Sequence, residues 1–278
     1  MKITAIFCDA GSTNLLAHYL KCKKIKFDCY ATGAALKILP KIFPKKKINK
    51  FINNDVAKNK ILITTTSLNN EFEFKAKLLC RNKKIKIISV IDHWINYRAR
   101  FKYNNKTYIP DEIWVFDKYA KNKCKKLFLK TKILQKKNYY LENVSKRIDY
   151  KKPKKSILYI CEGNRNINNL IKFEFLNLSK ILIKFKNKFE NGYKLIIKLH
   201  PSSKNKEDYK KIILKFKKIN YEILKDTSIE KALSQASIIV GIRSYAMYIS
   251  TFNSLKTYTL LSKKDIYKYI PYKKVIIL

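Results

Sequence analysis

The sequence predicts an α/β protein made of two successive units, each carrying a parallel sheet. Strand-length apolar runs alternate with longer helical stretches along the whole chain, a basic segment interrupts the alternation near residue 150, and the same pattern then restarts. With 278 residues the chain is long enough for two ordinary domains, placed by these signals at 1–148 and 149–278.

In the first unit, "KITAIFC" is a strand and "GSTNLLAHYLKCKK" a helix, because Leu15, Leu16, Tyr19 and Leu20 recur at helical spacing. "FDCYAT" and "GAALKILPKIF" repeat the pair, followed by the strand "KILITTTS", the helix "NNEFEFKAKLLCRN" and the strand "IKIISVI". "DEIWVFD", "KYAKNKCKKLF" and "KILQKK" complete this half. The linker "KRIDYKKPKK" is rich in basic side chains, holds a proline and shows no apolar face. The second unit opens with "SILYICEG" and a long amphipathic helix from about Asn168 to Phe189. Then come "YKLIIKLHP", the helix "EDYKKIILKFKK", "NYEILKD", the helix "SIEKALSQA", "SIIVGIRS", the helix "YAMYISTFNS" and the strands "KTYTLL" and "KVIIL".

Composition narrows the functional classes. Hydrophobic residues at 46% make wholesale disorder untenable. Six scattered cysteines without a C-x-x-C pair point to neither a zinc site nor a disulfide framework, and fit a reducing compartment. The start of the chain shows no signal-peptide pattern and no window is apolar enough to span a bilayer, so a cytoplasmic location is expected, with peripheral contact to an anionic membrane face left open. A net charge of +42 suggests nucleic acid, but the lysines run along nearly the whole chain rather than forming one patch, which favours solvated faces over a specific nucleic-acid site. The six arginines are more selective: Arg98, Arg100, Arg165 and Arg243 all fall just after apolar runs, where a planar five-donor fork suits phosphate or carboxylate.

In open parallel sheets, ligands bind beyond the carboxyl ends of the strands. That rule selects Asp9 and residues 11–13, residues 64–67, Asp92 and His93, Glu162 and the residues after it, His200 to Ser203, and Gly241 to Ser244. "LIIKLHPSS" ends a strand at His200-Pro201, where proline stops the ladder; His200 can donate to a phosphate oxygen, and Ser202 and Ser203 add hydroxyls. In "SIIVGIRSYAMYIS" a strand ends at Gly241, a turn carries Arg243 and Ser244, and a helix begins near Tyr245, so its free N–H groups suit an anion; an ordinary turn with a serine cap is the competing reading. "VIDHWINYRARF" concentrates rare residues: Asp92 or the Asp92–His93 pair as general base, with Asp9 second, Trp94 and Tyr97 as an aromatic platform, and Arg98 and Arg100 for an anionic acceptor. The competing reading there is a polar corner with Trp94 in the core and the arginines paired to acidic neighbours such as Asp111 and Glu112, residues that themselves read as flanking a strand.

The order "ILYICEG", "IIKLHPSS", "ASIIVGIRSYAMYIS" resembles the donor domain of GT-B glycosyltransferases, most of all the HP-motif sialyltransferase-like and capsule-polysaccharide transferase families, and the first half resembles the acceptor-side domain of a related branch. The resemblance implies two Rossmann-like domains facing a cleft. It implies that His200 and Ser244 contact the donor phosphate, with Pro201, Ser203, Gly241, Arg243 and Glu162 around them. It further implies a CMP-, UDP- or GDP-sugar donor, a surface glycan or glycolipid acceptor, and no metal or other cofactor. The D/E-D/E-G triplet that supplies the base in those sialyltransferases is missing from the first half, leaving Asp9 and Asp92 as substitutes. A nucleotide-sugar 2-epimerase or hydrolase of the same architecture is the alternative enzyme. A non-catalytic basic nucleic-acid- or membrane-binding protein, or a degenerate GT-B domain, is the alternative outside catalysis.

Overall fold

The computed structural model describes residues 2–149, 154–162, 167–200, 207–215, 219–272 and 274–278, without the side chains of 167–174, 208, 212, 267 and 268. Pro201 and Ser203, Arg165 and the middle of the basic linker lie outside the described residues. The chain divides into two units, Met1–Glu142 and Asn143–Leu278.

The first unit holds β1 (Ile3–Phe7), α1 (Ala10–Cys22), β2 (Phe27–Ala31), α2 (Ala35–Ile42), β3 (Ile48–Asn49), a 3-10 turn at Asn54–Ala57, β4 (Ile61–Thr64), α3 (Glu71–Asn82) and β5 (Lys86–Val90). A second 3-10 turn (Ala99–Phe101) leads to a two-stranded antiparallel ribbon, β6 (Lys102–Tyr103) and β7 (Lys106–Thr107), then β8 (Glu112–Val115), α4 (Lys118–Leu127), β9 (Lys132–Gln135) and α5 (Tyr139–Lys146). Its sheet runs β3-β2-β1-β4-β5-β8-β9, with every neighbouring pair parallel. The second unit holds β10 (Ser156–Ile160), α6 (Ile167–Lys184), α7 (Lys186–Glu190), β11 (Lys194–Lys198), α8 (Glu207–Ile213), β12 (Tyr221–Leu224), α9 (Ile229–Leu233), β13 (Ile238–Gly241), α10 (Tyr245–Phe252), β14 (Lys256–Thr259), α11 (Lys263–Tyr269) and β15 (Val275–Ile277). Its sheet, β12-β11-β10-β13-β14-β15, is also parallel throughout.

The continuous apolar runs follow from burial on both sheet faces. In the second unit Ile157, Tyr159, Leu195, Ile197, Ile238 and Val240 alternate onto one face and pack with Leu178, Ile181 and Leu182 of α6. Leu158, Ile196 and Ile239, between them in sequence, are equally buried. Each such side chain contributes about 1.5–3 kcal/mol of transfer free energy. In the first unit Ile6, Tyr30, Leu62 and Ile87 pack in the same way with Ala76 and Cys80 of α3.

Several elements depart from expectation. The long helix of the second half breaks at Phe185 (φ −103°, ψ 17°) into α6 and α7. Helices α5 and α11 and the edge strand β3 arise where no element was expected. Ser145 in the last turn of α5 and Arg147 just past it bond within the second unit, Ser145 Oγ accepting from Asn253 Nδ2 (3.0 Å) and Arg147 pairing with Glu230 (3.1 Å). With five glycines in the chain, lysine takes positions usually given to glycine: Lys24 (φ 51°) and Lys84 (φ 54°) adopt the left-handed conformation just past α1 and α3. Among the described residues no helix is long and apolar enough to cross a membrane.

Candidate functional site

Because each sheet is parallel, its strands deliver their following residues to one edge. The first unit brings there Asp9 after β1, residues 65–67 after β4, Asp92 and His93 after β5, and Asp117 after β8. The second brings Glu162 after β10, His200 after β11, and Arg243 and Ser244 after β13.

Asp92 is the most constrained residue of the first edge. One carboxylate oxygen, Oδ1, lies 2.9 Å from Arg100 Nη1, a close charge contact although the N–H is not aligned on it as a hydrogen bond. The other, Oδ2, lies against the start of α1, so close that a Cβ at Gly11 would overlap it. A helix N-terminus favours a carboxylate in that position. Arg100 is itself anchored: Nη1 donates to the Thr66 carbonyl (2.7 Å) and Nε to that of Ile95 (3.3 Å). The chain returns to make these contacts through Asn96, whose φ of 59° is tolerated by an asparagine.

Beneath this edge, the hydroxyls of "TTTS" are engaged internally. Thr64 bonds Ser89 (3.0 Å), Thr66 donates to the Val90 carbonyl (2.7 Å), and Thr65 donates to Glu73 (2.7 Å) while accepting from Cys8 N–H (3.1 Å). Glu73 also accepts from Ser67 N–H (3.0 Å), and burial raises its pKa above the usual carboxylate range, opposed by the charge of Lys77. Glu73 was not among the expected residues. Its signal was present, since Asn70 caps α3 and Glu73 stands three residues later, the spacing of a capping box.

Several expectations for "VIDHWINYRARF" are corrected. Trp94 and Tyr97 are 1% and 3% exposed, so they form no platform for a ligand; Trp94 Nε1 donates to Asp117 Oδ2 (3.0 Å), and Lys123 lies over the Tyr97 ring (5.5 Å). Arg100 is turned into the fold, 10% exposed, with Nη1 against Asp92 and the Thr66 carbonyl and Nε on the Ile95 carbonyl. Asp111 accepts from Ile87 N–H (2.7 Å) and Glu112 pairs with Lys86 (3.1 Å), so neither is an arginine partner. Arg98 is exposed, and His93 and Asp9 are partly exposed. His93 Nδ1 accepts from Trp94 N–H (2.9 Å), which places the proton of the neutral ring on Nε2.

In the second unit β10 lies between β11 and β13, so the strand ends leading to His200 and to Ser244 stand two inter-strand spacings apart, about 10 Å. His200 is exposed. Lys198, one of the buried residues at the end of β11, braces this edge by donating to the carbonyls of Leu199 (2.9 Å) and Lys225 (2.7 Å), and burial lowers its pKa. Ser244 caps α10, its Oγ accepting from Ala246 N–H (3.3 Å), and Thr259 Oγ1 secures the turn by donating to the Ile242 carbonyl (2.8 Å). The turn already holds an anion. Glu162 Oε1 accepts from Arg243 N–H (2.9 Å), and Arg243 Nε lies 3.9 Å from Oε2. Burial raises the Glu162 pKa in spite of these donors. Arg243 is stacked over Tyr269 (4.9 Å). Among the described residues no three His, Cys, Asp or Glu side chains converge as a metal-binding group.

No protein-family model matches the sequence, and no curated protein matches it significantly. Solved structures do resemble it in fold. UDP-GlcNAc 2-epimerase from Neisseria meningitidis bound to UDP-GlcNAc superposes with a TM-score of 0.69 at 14% identity, over 99% of this chain and 87% of that one. S. aureus MnaA with UDP gives 0.67 at 13% identity, over 94% and 79%. E. coli ADP-heptose LPS heptosyltransferase II gives 0.50 at 12% identity, over 99% and 90%. The chain therefore has the two-sheet α/β fold of GT-B enzymes, a likeness that carries the architecture and singles out no sialyltransferase branch.

Proposed function

We propose that the chain is an enzyme acting on a nucleotide-activated sugar, and that it transfers the sugar to a glycan or glycolipid acceptor. The observation that supports this most is the gathering of Glu162, His200, Arg243 and the capping Ser244 at the ends of three adjacent parallel strands. Arg243, His200 and the start of α10 then stabilise the charge that develops on the departing phosphate. Asp92, fixed by Arg100 and Gly11, takes the proton of the acceptor hydroxyl as that oxygen bonds to the anomeric carbon and the carbon–oxygen bond to phosphate breaks. Arg98, exposed on the same loop, is the basic group available to an anionic acceptor. UDP-sugars are the first donors to try, because two structures similar in fold carry UDP or UDP-GlcNAc.

Those TM-scores favour a second reading, a nucleotide-sugar 2-epimerase or hydrolase, over heptosyltransferase-like transfer. One assay separates them: nucleotide release and sugar products are followed with UDP-, CMP- and GDP-sugars, with and without glycan acceptors. Release that requires an acceptor and drops about 10²–10⁴-fold in Asp92→Asn supports transfer. An isomerised or free sugar formed without acceptor supports the second reading, and turnover indifferent to Asp92→Asn removes Asp92 from the chemistry.

A further inference from the structure

The turn between β13 and α10 was expected from sequence to present open donors to a phosphate. In the folded chain the N–H of Arg243 is directed to Glu162, and Ala246 N–H is directed to Ser244 Oγ. Glu162 comes from a different strand, two residues past the end of β10, so the contact is a tertiary one rather than a consequence of local turn geometry. Its side chain is 18% exposed, which leaves it a path to solvent. A phosphate cannot take the Arg243 N–H while an ionised carboxylate holds it, because two anions at contact distance repel and each N–H serves one strong acceptor.

We infer that Glu162 is a built-in competitor for phosphate at the start of α10, so that a nucleotide is seated there only as the Glu162 charge is withdrawn. The withdrawal takes place by rotation of the side chain out of the turn or by uptake of a proton from solvent. Arg243 suits the exchange: at 3.9 Å it is loosely engaged with Glu162, and its stacking on Tyr269 of α11 keeps the guanidinium near the turn when its partner leaves. Among the described residues, Tyr272, beyond α11, also faces Glu162, and burial keeps its hydroxyl protonated. The competitor makes binding selective, since a weak anion does not displace a carboxylate that is already hydrogen-bonded, whereas a nucleotide with further contacts can.

The inference rests on the reading of this turn as the phosphate seat, and the test keeps the two apart. Binding of UDP and of inorganic pyrophosphate to the full chain is measured by calorimetry for wild type, Glu162→Gln and His200→Ala. Glu162→Gln retains an oxygen to accept from Arg243 N–H and removes the charge, so both ligands should bind at least tenfold more tightly. Wild-type affinity for UDP should also fall from pH 5 to pH 8 relative to that of Glu162→Gln, because deprotonation strengthens the competitor. Equal or weaker binding by Glu162→Gln, with wild type binding UDP and His200→Ala losing it, overturns the competitor and leaves the seat in place. Absence of binding of either ligand to any of the three chains overturns both.

Discussion

Each unit places a carboxylate from one strand end on the N-terminus of a helix that follows another strand, and each pairs it with an arginine. The two constructions differ in what holds them. Asp92 meets Arg100 at 2.9 Å, and Arg100 is locked by two carbonyls, while Gly11 lets the second oxygen settle onto α1. Glu162 is held by the backbone N–H of Arg243, with the guanidinium 3.9 Å away and 37% exposed. A carboxylate fixed by side chains and close packing stays where it is put; one fixed by a helix terminus can be exchanged for another anion. The first suits a base that must keep its position, the second a seat that must be vacated.

The largest effect that would sharpen this contrast is expected from Arg100→Ala. It leaves Asp92 without its partner and two carbonyls without a donor, and should cost about 3–5 kcal/mol in chemical denaturation. Gly11→Ala comes next. Its Cβ overlaps an oxygen that Arg100 prevents from moving, so about 1–3 kcal/mol is expected together with loss of turnover, whereas Gly241→Ala meets the end of the Met247 side chain at 2.8 Å and should cost less. Arg243→Ala should change stability least, by under about 1 kcal/mol, and should show instead as weaker nucleotide binding. A stability loss for Arg243→Ala as large as that for Arg100→Ala would erase the distinction between the two edges.

The sequence revealed the alternation of strands and helices because buried parallel strands must be apolar along their length, as in "ILYI" and "LIIKL". It also located the polar strand ends, which are the places where those runs stop. What it left hidden depends on partners far away in the chain. Trp94, among polar neighbours, read either as an exposed platform or as a core residue, and the partner that decides for the core, Asp117 accepting from its indole N–H, stands 23 residues away. Arg100 read as a ligand contact because its carbonyl partner at Thr66 stands 34 residues away. The turn at Arg243 and Ser244 read as an open anion site because the filling carboxylate, Glu162, precedes it by 81 residues. Helices α5 and α11 escaped notice as short elements of seven or eight residues, in which apolar periodicity has little length to show itself.

The most direct measurement is a crystal structure of the full chain with UDP. The expected result is a phosphate within about 2.7–3.2 Å of the N–H groups at Arg243 and Ser244, His200 in contact with it, Glu162 moved off the turn or bonded to the phosphate as a carboxylic acid, and Asp92 unmoved on Gly11. UDP bound away from α10, with Glu162 still accepting from Arg243, would contradict it.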